Sequence, residues 1–472
     1  MIFNTVTFIV FLILVFSLYW GLNRRWQNAL LLVASYVFYG WWDWRFLSLI
    51  LISSLFDFWL GRRIAATSAP RRRKAYIVLS LVSNLGLLGF FKYFNFFAES
   101  FAHLLAGFGL EAGFVTLHII LPVGISFYTF QSLSYTLDVY RGQCLATYTL
   151  VEFMAFVSFF PQLVAGPIER ATNLLKQFAG DRVFDVQQAK DGVRQMLWGF
   201  FQKMVIADGA AKYVNAVYAA DAEANGGRLL LGTVFFAFQI YSDFAGYANI
   251  ACGCARLFGF RLMRNFAYPY FSRNIAEFWQ RWHISLSTWF RDYLYIPLGG
   301  SRRGLARTAR NVLLTFTISG LWHGANWTYV FWGLLNGLYF LPGLLRRRLG
   351  PAPVAPPSRD ARWTDLPAIG LTFLMTCAAW VFFRAESLPQ AFHFFRAMAG
   401  AFDLHALVFD APQIKLLILA MLAIEWIQRH RAHPLDIAAL PLPVRWASYY
   451  ALASVILVFG TFQSTTFIYF QF

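Results

Sequence analysis

Charged residues are scarce in this chain. Only 13% of its 472 residues are Asp, Glu, Lys or Arg, whereas a soluble domain carries about a quarter. So few charges cannot cover a water-facing surface, which excludes a soluble enzyme, a disordered protein and a nucleic-acid binder with a basic face. Hydrophobic residues make up 58% and the mean hydropathy is +0.51. We therefore expect an integral membrane protein with no nucleic-acid partner.

Cysteine is almost as rare. The chain has four cysteines, which are too few for a disulfide framework. Cys252 and Cys254 form a C-x-C pair in an apolar run, and the sequence nearby offers no cluster of His or Cys to complete a zinc site. We therefore expect no bound metal and no permanently bound cofactor.

Sequence signatures of several functional classes are missing. The chain has no Gly-x-Ser-x-Gly elbow, no Walker loop and no dinucleotide-binding glycine pattern. It also lacks the His-x-x-x-Asp motif of phospholipid acyltransferases, because Ser287 stands four residues after His283 and Trp327 four residues after His323. The catalytic motifs of a serine- or metal-based membrane hydrolase are therefore missing from this sequence. No internal repeat is visible, which disfavours a repeat-built transporter.

Long apolar runs are what the sequence has instead. Because a transmembrane helix needs about 20 apolar residues, the runs predict an all-α fold, a polytopic bundle of about eleven transmembrane helices with re-entrant and interfacial helices. The runs cover residues 1–23, 28–42, 46–60, 75–91, 112–137, 150–166, 229–255, 311–345, 366–383, 413–427 and 446–470. Residues 187–206 mix charged and apolar side chains, so they read as interfacial or buried in protein.

Positive charge is concentrated between these runs. The chain has 40 Lys and Arg against 23 Asp and Glu, a net charge of +17. Short loops rich in Lys and Arg stay on the cytoplasmic side, and the basic groups at 24–25, 62–74 and Arg141 alternate with the spans as that rule requires. The N-terminus is then extracytoplasmic. We treat 1–472 as one domain, with a core at 1–350, a Pro-rich loop at 351–362 and C-terminal transmembrane helices at 363–472.

The segment LWHGANW at 321–327 carries the first chemically unusual residue. His323 is the only strongly titratable side chain in residues 311–345, and basic loops flank the segment on both sides. If both loops are cytoplasmic, the segment enters the membrane and returns, with the histidine near its turn. Gly320 and Gly324 bracket His323 and allow other backbone to approach closely. An ionisable group at membrane depth is a functional candidate, and a neutral imidazole can take up a proton; the alternative is an uncharged histidine that only joins helices.

A second unusual run extends from Glu277 to Gly300. At helical spacing His283, Ser287 and Arg291 share one face, and we expect one interfacial helix that ends at Pro297. A ladder of charges at i, i+4 and i+8 precedes them. The ladder consists of Arg273, Glu277 and Arg281. An ordinary amphipathic helix explains the ladder but not His283, which adds neither apolar area nor a dependable charge.

Polar residues scattered through the apolar middle are further candidates. Asp243 stands alone in the run 229–255 and must be paired, protonated or exposed to water. An ion pair with Arg170 or Arg291 is at least as good an interpretation as catalysis. Glu169 and Arg170 can be interpreted as a solvated ion pair in a loop. Gln131, in the stretch Phe-Gln-Ser-Leu, is a further candidate.

Taken together, these segments resemble the membrane-bound O-acyltransferase family, in particular its bacterial polysaccharide branch, which includes the membrane protein of alginate O-acetylation. The matching stretches follow one another over roughly residues 1–350. They are PVGISFYTFQSLSYTLDVYR at 122–141, FPQLVAGPI at 160–168, YSDFAGY at 241–247, the run 277–300 and LWHGANW at 321–327. The C-terminal third resembles the family only in hydropathy.

The resemblance implies roles for several residues. The family's catalytic histidine in Trp-His-Gly corresponds to His323, and its second histidine, in Trp-His-Ile-Ser-Leu-Ser, corresponds to His283. We assign both as catalytic, with no metal site. Six residues form the expected substrate-binding group: Trp322, Asn326, Ser287, Arg291, Asp243 and Gln131.

The resemblance also implies a function. We expect a helical bundle around a central funnel in the bacterial inner membrane, in contact with lipid. Its acyl donor, acetyl-CoA or another acyl thioester, comes from the cytoplasm, and an extracytoplasmic acetyltransferase partner or a polysaccharide receives the acyl group. Two other readings are a transporter or flippase of lipid-linked sugars, which lacks the expected repeats, and a non-catalytic acyl-binding scaffold, which the presence of His323 disfavours.

Overall fold

A computed structural model describes residues 1–110, 117, 119–146, 148–219, 225–349, 360–400, 404–463 and 467–468. In these residues every regular element is a helix, which confirms the all-α class. The α-helices are α1 (Val6–Tyr19), α2 (Arg24–Asp43), α3 (Leu47–Ala66), α4 (Pro70–Leu88), α5 (Phe94–Gly107), α6 (Ile125–Tyr140), α7 (Leu150–Ser158), α8 (Phe160–Leu163), α9 (Lys176–Ala179), α10 (Val186–Phe200), α11 (Asp208–Ala219), α12 (Gly226–Leu257), α13 (Ile275–Arg281), α14 (Ile284–Phe290), α15 (Leu305–His323), α16 (Trp327–Leu349), α17 (Leu366–Arg384), α18 (Leu388–Ala399), α19 (Leu404–Phe409), α20 (Pro412–Ile427) and α21 (Leu442–Phe459). Four π-helical turns occupy Gly89–Tyr93, Ala171–Leu175, Phe201–Ala207 and Arg291–Tyr295. Short 3₁₀ turns occupy Trp44–Phe46, Pro269–Phe271 and Trp363–Asp365.

Six helical stretches of the described chain are long and apolar enough to cross a membrane. They are Arg24–Ala66, Pro70–Gly107, Gly226–Leu257, Trp327–Arg346, Trp363–Arg384 and Leu442–Phe459. The first two each contain two consecutive helices, α2 with α3 and α4 with α5. The chain is an integral membrane protein, and the total of eleven spans stays a prediction, as does the division into core, loop and C-terminal helices. The predicted Pro-rich loop lies mostly outside the described residues.

Apolar side chains cover much of the outer surface of the N-terminal helices. Leu18, Val33, Ile52 and Val82 each expose about 60% of their surface. Water would penalise so many exposed aliphatic groups, whereas lipid tails would not. These faces of α1 to α4 are therefore suited to contact with the bilayer.

By its internal contacts the chain separates into two compact units. The first contains residues 1–192 and 251–263. One of its buried acids, Asp57 on α3, is fully paired: Ser80 on α4 donates to Asp57 Oδ1 at 2.7 Å, and Asn84 donates to Asp57 Oδ2 at 2.8 Å. Each carboxylate oxygen therefore has a donor, which offsets the cost of burying the charge between helices.

Glu169, in a loop of the first unit, likewise has a hydrogen-bond donor on each carboxylate oxygen. It is fully buried, so the interpretation as a solvated loop pair is wrong. The backbone N–H of Met263 donates to its Oε1 at 2.5 Å, and the amide of Asn173 donates to Oε2 at 2.6 Å. The sequence could not indicate this, because Met263 is remote along the chain.

The second unit contains residues 193–250 and 264–472. Its central feature is a hairpin of α15 and α16, which cross where Gly320 faces Gly333. A Cβ atom placed on Gly320 would lie 3.0 Å from the Cα of Gly333, tighter than ordinary contact. The absence of a side chain at this crossing therefore lets the two helices pack closely, as the sequence predicted for Gly320.

Candidate active site

His323 is the last residue of α15, directly before the turn into α16. The sequence predicted this place for it, near the turn of the segment. Its side chain is 2% exposed, and Nδ1 lies 2.7 Å from the carbonyl oxygen of Ser319. Because a carbonyl oxygen can only accept, Nδ1 carries the hydrogen in the neutral ring and the lone pair is on Nε2. The hydrogen bond therefore selects the tautomer in which Nε2 can accept a proton.

Aromatic rings surround the imidazole of His323. The ring centroids of Trp332, Trp322 and Phe383 lie 4.9, 5.1 and 5.7 Å from its own. Trp380 stacks on Trp332 at 5.6 Å with an interplanar angle of 17°. These rings exclude water from the surroundings of the histidine.

His283 completes the pair. Its ring centroid lies 6.3 Å from that of His323, and the side chain is fully buried. Phe244 meets the ring edge-on at 4.5 Å, and Nδ1 lies 3.2 Å from Asn265 Oδ1. Burial lowers the pKa of His283 well below its usual value, and the neighbouring His323 lowers it further. The two histidines predicted as catalytic are therefore brought together, and His283 is neutral at neutral pH.

The backbone at His283 differs from the prediction. α13 ends at Arg281, Trp282 is extended, and His283 adopts a left-handed conformation with φ = 43° before α14 begins. The single helix with His283 and Ser287 on one face is therefore wrong: His283 is the residue that precedes α14, and its carbonyl accepts from the N–H of Ser287 at 2.9 Å. Helical periodicity on both sides of a two-residue break looks continuous in the sequence, so the pattern could not reveal it.

The conformation of His283 is costly, since left-handed backbone is uncommon outside glycine. Asn265 compensates by contacts at long sequence range: its Oδ1 accepts from the backbone N–H of Ser285 at 3.2 Å and from the Ser285 hydroxyl at 2.9 Å. Before the break, the predicted charge ladder is confirmed. Glu277 binds Arg273 at 2.9 Å and Arg281 at 2.6 Å, so α13 is held firmly up to the residue where the helix stops.

The residues expected to bind substrate divide into two groups, of which the first lies near the histidines. Trp322 contacts both rings, at 5.1 Å from His323 and 6.2 Å from His283. Asn326 directly precedes α16; its Oδ1 accepts from Thr328 N and its amide donates to Glu386 O, both at 3.0 Å. The hydroxyl of Ser287 donates to Trp282 O at 3.2 Å. Trp322 thus lies beside both histidines, whereas the side chains of Asn326 and Ser287 form hydrogen bonds with backbone atoms.

The second group is engaged elsewhere. Arg291 pairs with Asp292 at 2.7 Å, and its side chain is 58% exposed. Gln131 belongs to the first unit, where it donates to Phe156 O at 2.5 Å. For these two residues a structural role accounts for all the contacts just named.

Asp243 is paired, but not with either arginine that the sequence suggested. Its partner is Lys203, whose Nζ lies 2.7 Å from Asp243 Oδ1 and 2.8 Å from Asp208 Oδ1. All three side chains are at most 5% exposed. Lys203 lies in the stretch 187–206, which was expected to be interfacial or buried and is buried at this position. Asp243 directly precedes Phe244 on α12, and the ring of Phe244 contacts His283.

Sequence reasoning missed several residues of the site. Trp332 and Phe383 stand in apolar runs rich in aromatics, where nothing separates a site wall from ordinary packing. Asn265 follows Arg264 in a short polar stretch, and no motif marked it. The high density of aromatic residues in 311–345 is the one sequence signal that points to Trp332.

Two imidazoles buried among aromatic rings can perform proton transfer. His323 offers a defined acceptor nitrogen, and His283 stands near enough to contact the same small group. Among the residues that the structure describes, no group of three or more His, Cys, Asp or Glu side chains could hold a metal ion. The two imidazoles themselves can supply general base chemistry.

Comparison with known proteins identifies relatives along most of the chain. The family model of the membrane-bound O-acyltransferases matches residues 145–377, which include both histidines. The probable alginate O-acetylase of Pseudomonas aeruginosa is 42% identical over 400 residues, covering 84% of this chain and 75% of the relative. The peptidoglycan O-acetyltransferase of Helicobacter pylori is 34% identical over 434 residues, covering 85% and 80%. The teichoic acid D-alanyltransferase of Streptococcus thermophilus is 28% identical over 289 residues, covering 55% and 68%.

Proposed function

Because the chain belongs to the membrane-bound O-acyltransferase family and is an acyltransferase, we propose that it moves acetyl groups from a cytoplasmic thioester to hydroxyl groups of a secreted or cell-wall polysaccharide. Acetyl-CoA is the first candidate donor. The transfer ends on the polysaccharide directly or through an extracytoplasmic acetyltransferase partner. Relatives named for alginate and peptidoglycan O-acetylation support the acetyl group and the polysaccharide.

The observation that carries the mechanism is the hydrogen bond between His323 Nδ1 and Ser319 O. It leaves Nε2 as the proton acceptor. As the acceptor hydroxyl attacks the thioester carbonyl carbon, Nε2 takes its proton. When the C–S bond breaks, the protonated His323 gives this proton to the leaving thiolate. An ester and a thiol form, and no net proton is released. A well-placed base of this kind supplies about 10²–10⁴-fold in rate.

His283 has a supporting part in this proposal. It is neutral, stands 6.3 Å from His323 between ring centroids, and is held by Asn265. We assign it to the lining of the donor route and to the polarity of the site rather than to the proton transfer itself. The neighbouring Trp322 supplies the apolar wall against which an acetyl methyl group would pack.

Transfer by the purified protein tests the proposal. The detergent-solubilised protein is incubated with acetyl-labelled acetyl-CoA and a polysaccharide acceptor, and released CoA and polymer-bound label are both measured. We expect both products from the wild type and neither from His323→Ala at the same amount of folded protein. A wild type that forms no labelled product with acetyl-CoA or with an acetylated carrier protein would contradict the proposal.

The orientation in the inner membrane is part of the same proposal, because the thioester is cytoplasmic. All four native cysteines are buried, so one introduced cysteine can be followed alone. In intact cells an impermeant thiol reagent should label Trp44→Cys, which lies between the predicted spans 28–42 and 46–60 and is outside when the N-terminus is outside. It should not label Arg72→Cys or Arg346→Cys. Labelling of either arginine position from outside would overturn the orientation.

A further inference from the structure

We propose that the side-chain amide of Asn265 binds the carbonyl oxygen of the acyl group and stabilises the negative charge that it gains during transfer. This assignment rests on the proposed function, since it concerns the same reaction. Asn265 is 2% exposed and lies against His283. It would be a catalytic residue of the site, in contact with the reacting group.

The orientation of the Asn265 amide follows from its neighbours. Its oxygen receives the backbone N–H of Ser285 at 3.2 Å and the Ser285 hydroxyl at 2.9 Å. A backbone N–H can only donate, so the amide oxygen must be the atom on this side. The NH₂ group is then fixed on the opposite side of the same plane.

That NH₂ group is buried and, in the described part of the chain, has no hydrogen-bond partner. Buried donors are nearly always paired, because an unpaired one loses its bonds to water without replacement. A donor-only group of this kind, on a residue whose oxygen contacts His283, suits a partner that only accepts, such as a carbonyl oxygen. The same group suits an oxyanion better still, since hydrogen bonds to a charged acceptor are stronger.

Two indoles near the pair show the same property. The Nε1 atoms of Trp282 and Trp380 are buried, and neither has a hydrogen-bond partner among the described residues. Trp282 precedes His283 in the chain, and its ring lies 5.1 Å from that of Trp380. The surroundings of the histidines are thus rich in unpaired donors, which is the electrostatic character that a developing oxyanion requires.

The step balances with the groups named. The acceptor oxygen bonds to the carbonyl carbon of the thioester, its proton passes to Nε2 of His323, and the C=O π pair moves to the oxygen that Asn265 holds. Collapse restores the C=O bond and breaks the C–S bond. The thiolate then takes the proton from His323, which leaves ester, thiol and the enzyme unchanged.

Asn265→Asp is the decisive variant, because it retains the oxygen that serves Ser285 and His283 and replaces the NH₂ donor with a second oxygen of an ionisable carboxyl, a change that the control variant below repeats at another buried site. We expect kcat to fall about 10²–10³-fold, the usual effect of losing one oxyanion donor, with little change in KM for the thioester. Wild-type kcat in this variant would overturn the assignment. Failure of the wild type itself to transfer acetyl groups would instead count against the proposed function.

Asn311→Asp is the matched control. Asn311 is also fully buried, but its NH₂ group is used, donating to Leu298 O at 3.3 Å and Gly300 O at 3.0 Å. Removing those donors should lower the melting temperature and leave kcat per folded molecule close to that of the wild type. A fall in kcat as large as in Asn265→Asp would show that the loss reflects folding, and would overturn the assignment.

A double-mutant cycle separates this role from mere positioning of His283. If Asn265 binds the oxyanion, Asn265→Asp lowers kcat by a similar factor in the wild type and in His283→Ala. If Asn265 acts only through His283, the substitution has no further effect in the His283→Ala background. The second result would make Asn265 a positioning residue and overturn the proposal.

Discussion

Two buried acids of the first unit, Asp57 and Glu169, differ in their hydrogen bonding from the histidine site of the second unit. Asp57 and Glu169 each have a donor on both carboxylate oxygens. Around His283 and His323, by contrast, the donors of Asn265, Trp282 and Trp380 have no partner in the described chain. The first arrangement joins helices and is complete in itself. The second is incomplete in a way that suits an acceptor-only ligand.

Backbone conformation sharpens this contrast. The acids of the first unit need no unusual backbone, whereas His283 has φ = 43°. Strained residues persist only where the surrounding structure holds them, and they cluster at functional sites. We therefore expect substitutions in the two regions to affect different quantities, turnover in the second unit and stability in the first.

The largest effect is expected at His323. His323→Ala removes the general base, so turnover should fall about 10²–10⁴-fold. Folding should survive, because the change leaves a small cavity and no unpaired buried charge. Polymer-bound acetate per cell, measured at matched levels of membrane protein, reports the loss. If His323→Ala retained wild-type acetylation, the expectation that substitutions in the second unit lower turnover would be wrong.

His283→Ala should have a smaller effect on turnover. His283 lines the site without taking the proton, so transfer should be impaired but measurable. Initial rates with saturating donor, compared with those of His323→Ala, give the difference. If both variants are equally inactive, His283 takes part in the chemistry and its assigned role is wrong.

Asp57→Ala should show the opposite behaviour. It leaves the donors of Ser80 and Asn84 without their buried acceptor, which costs about 1–3 kcal/mol of stability. The melting temperature in detergent should fall, while turnover per folded molecule stays at the wild-type value. Asp57→Asn, which keeps one acceptor oxygen, should be less destabilised. A loss of turnover in folded Asp57→Ala would show that the hydrogen-bonded group of Asp57, Ser80 and Asn84 also serves the reaction.

The smallest effect concerns Glu169 and pH. Burial raises the pKa of its carboxyl from 4.5 to about 7, although hydrogen bonds from Met263 and Asn173 oppose the rise. A carboxyl with a raised pKa binds its proton more tightly in the folded state, so its contribution is full below the unfolded pKa and is lost as pH rises through about 7. The melting temperature of the wild type should therefore fall relative to Glu169→Gln between about pH 5 and pH 8. A difference that stays constant over this range would mean that Glu169 does not titrate there.

Local pattern predicted much of the molecule. The scarcity of charge and the apolar runs gave the all-α membrane class, and the uncharged segment 311–345 predicted the hairpin with His323 at its turn. The i, i+4 ladder around Glu277 also appears as predicted. Each of these features depends on residues close together in the chain, where periodicity and charge counts are informative.

The missed features depend on contacts between distant residues. The break at His283 is held by Asn265, Asp243 is paired by Lys203, and Glu169 is capped by the backbone of Met263. None of these partners is at helical spacing from the residue that it holds. A sequence pattern specifies which residues can face a core, but not which of several distant donors will meet a buried acceptor.

The central claim is that His323 acts as the base, and His323→Gln tests it most directly. Glutamine is close to histidine in bulk and can form hydrogen bonds, but it cannot accept a proton at neutral pH. Acetyl transfer from labelled acetyl-CoA by the purified, folded variant should be no greater than that of His323→Ala. Transfer at the wild-type rate would contradict the account and leave His323 as a residue that only joins helices.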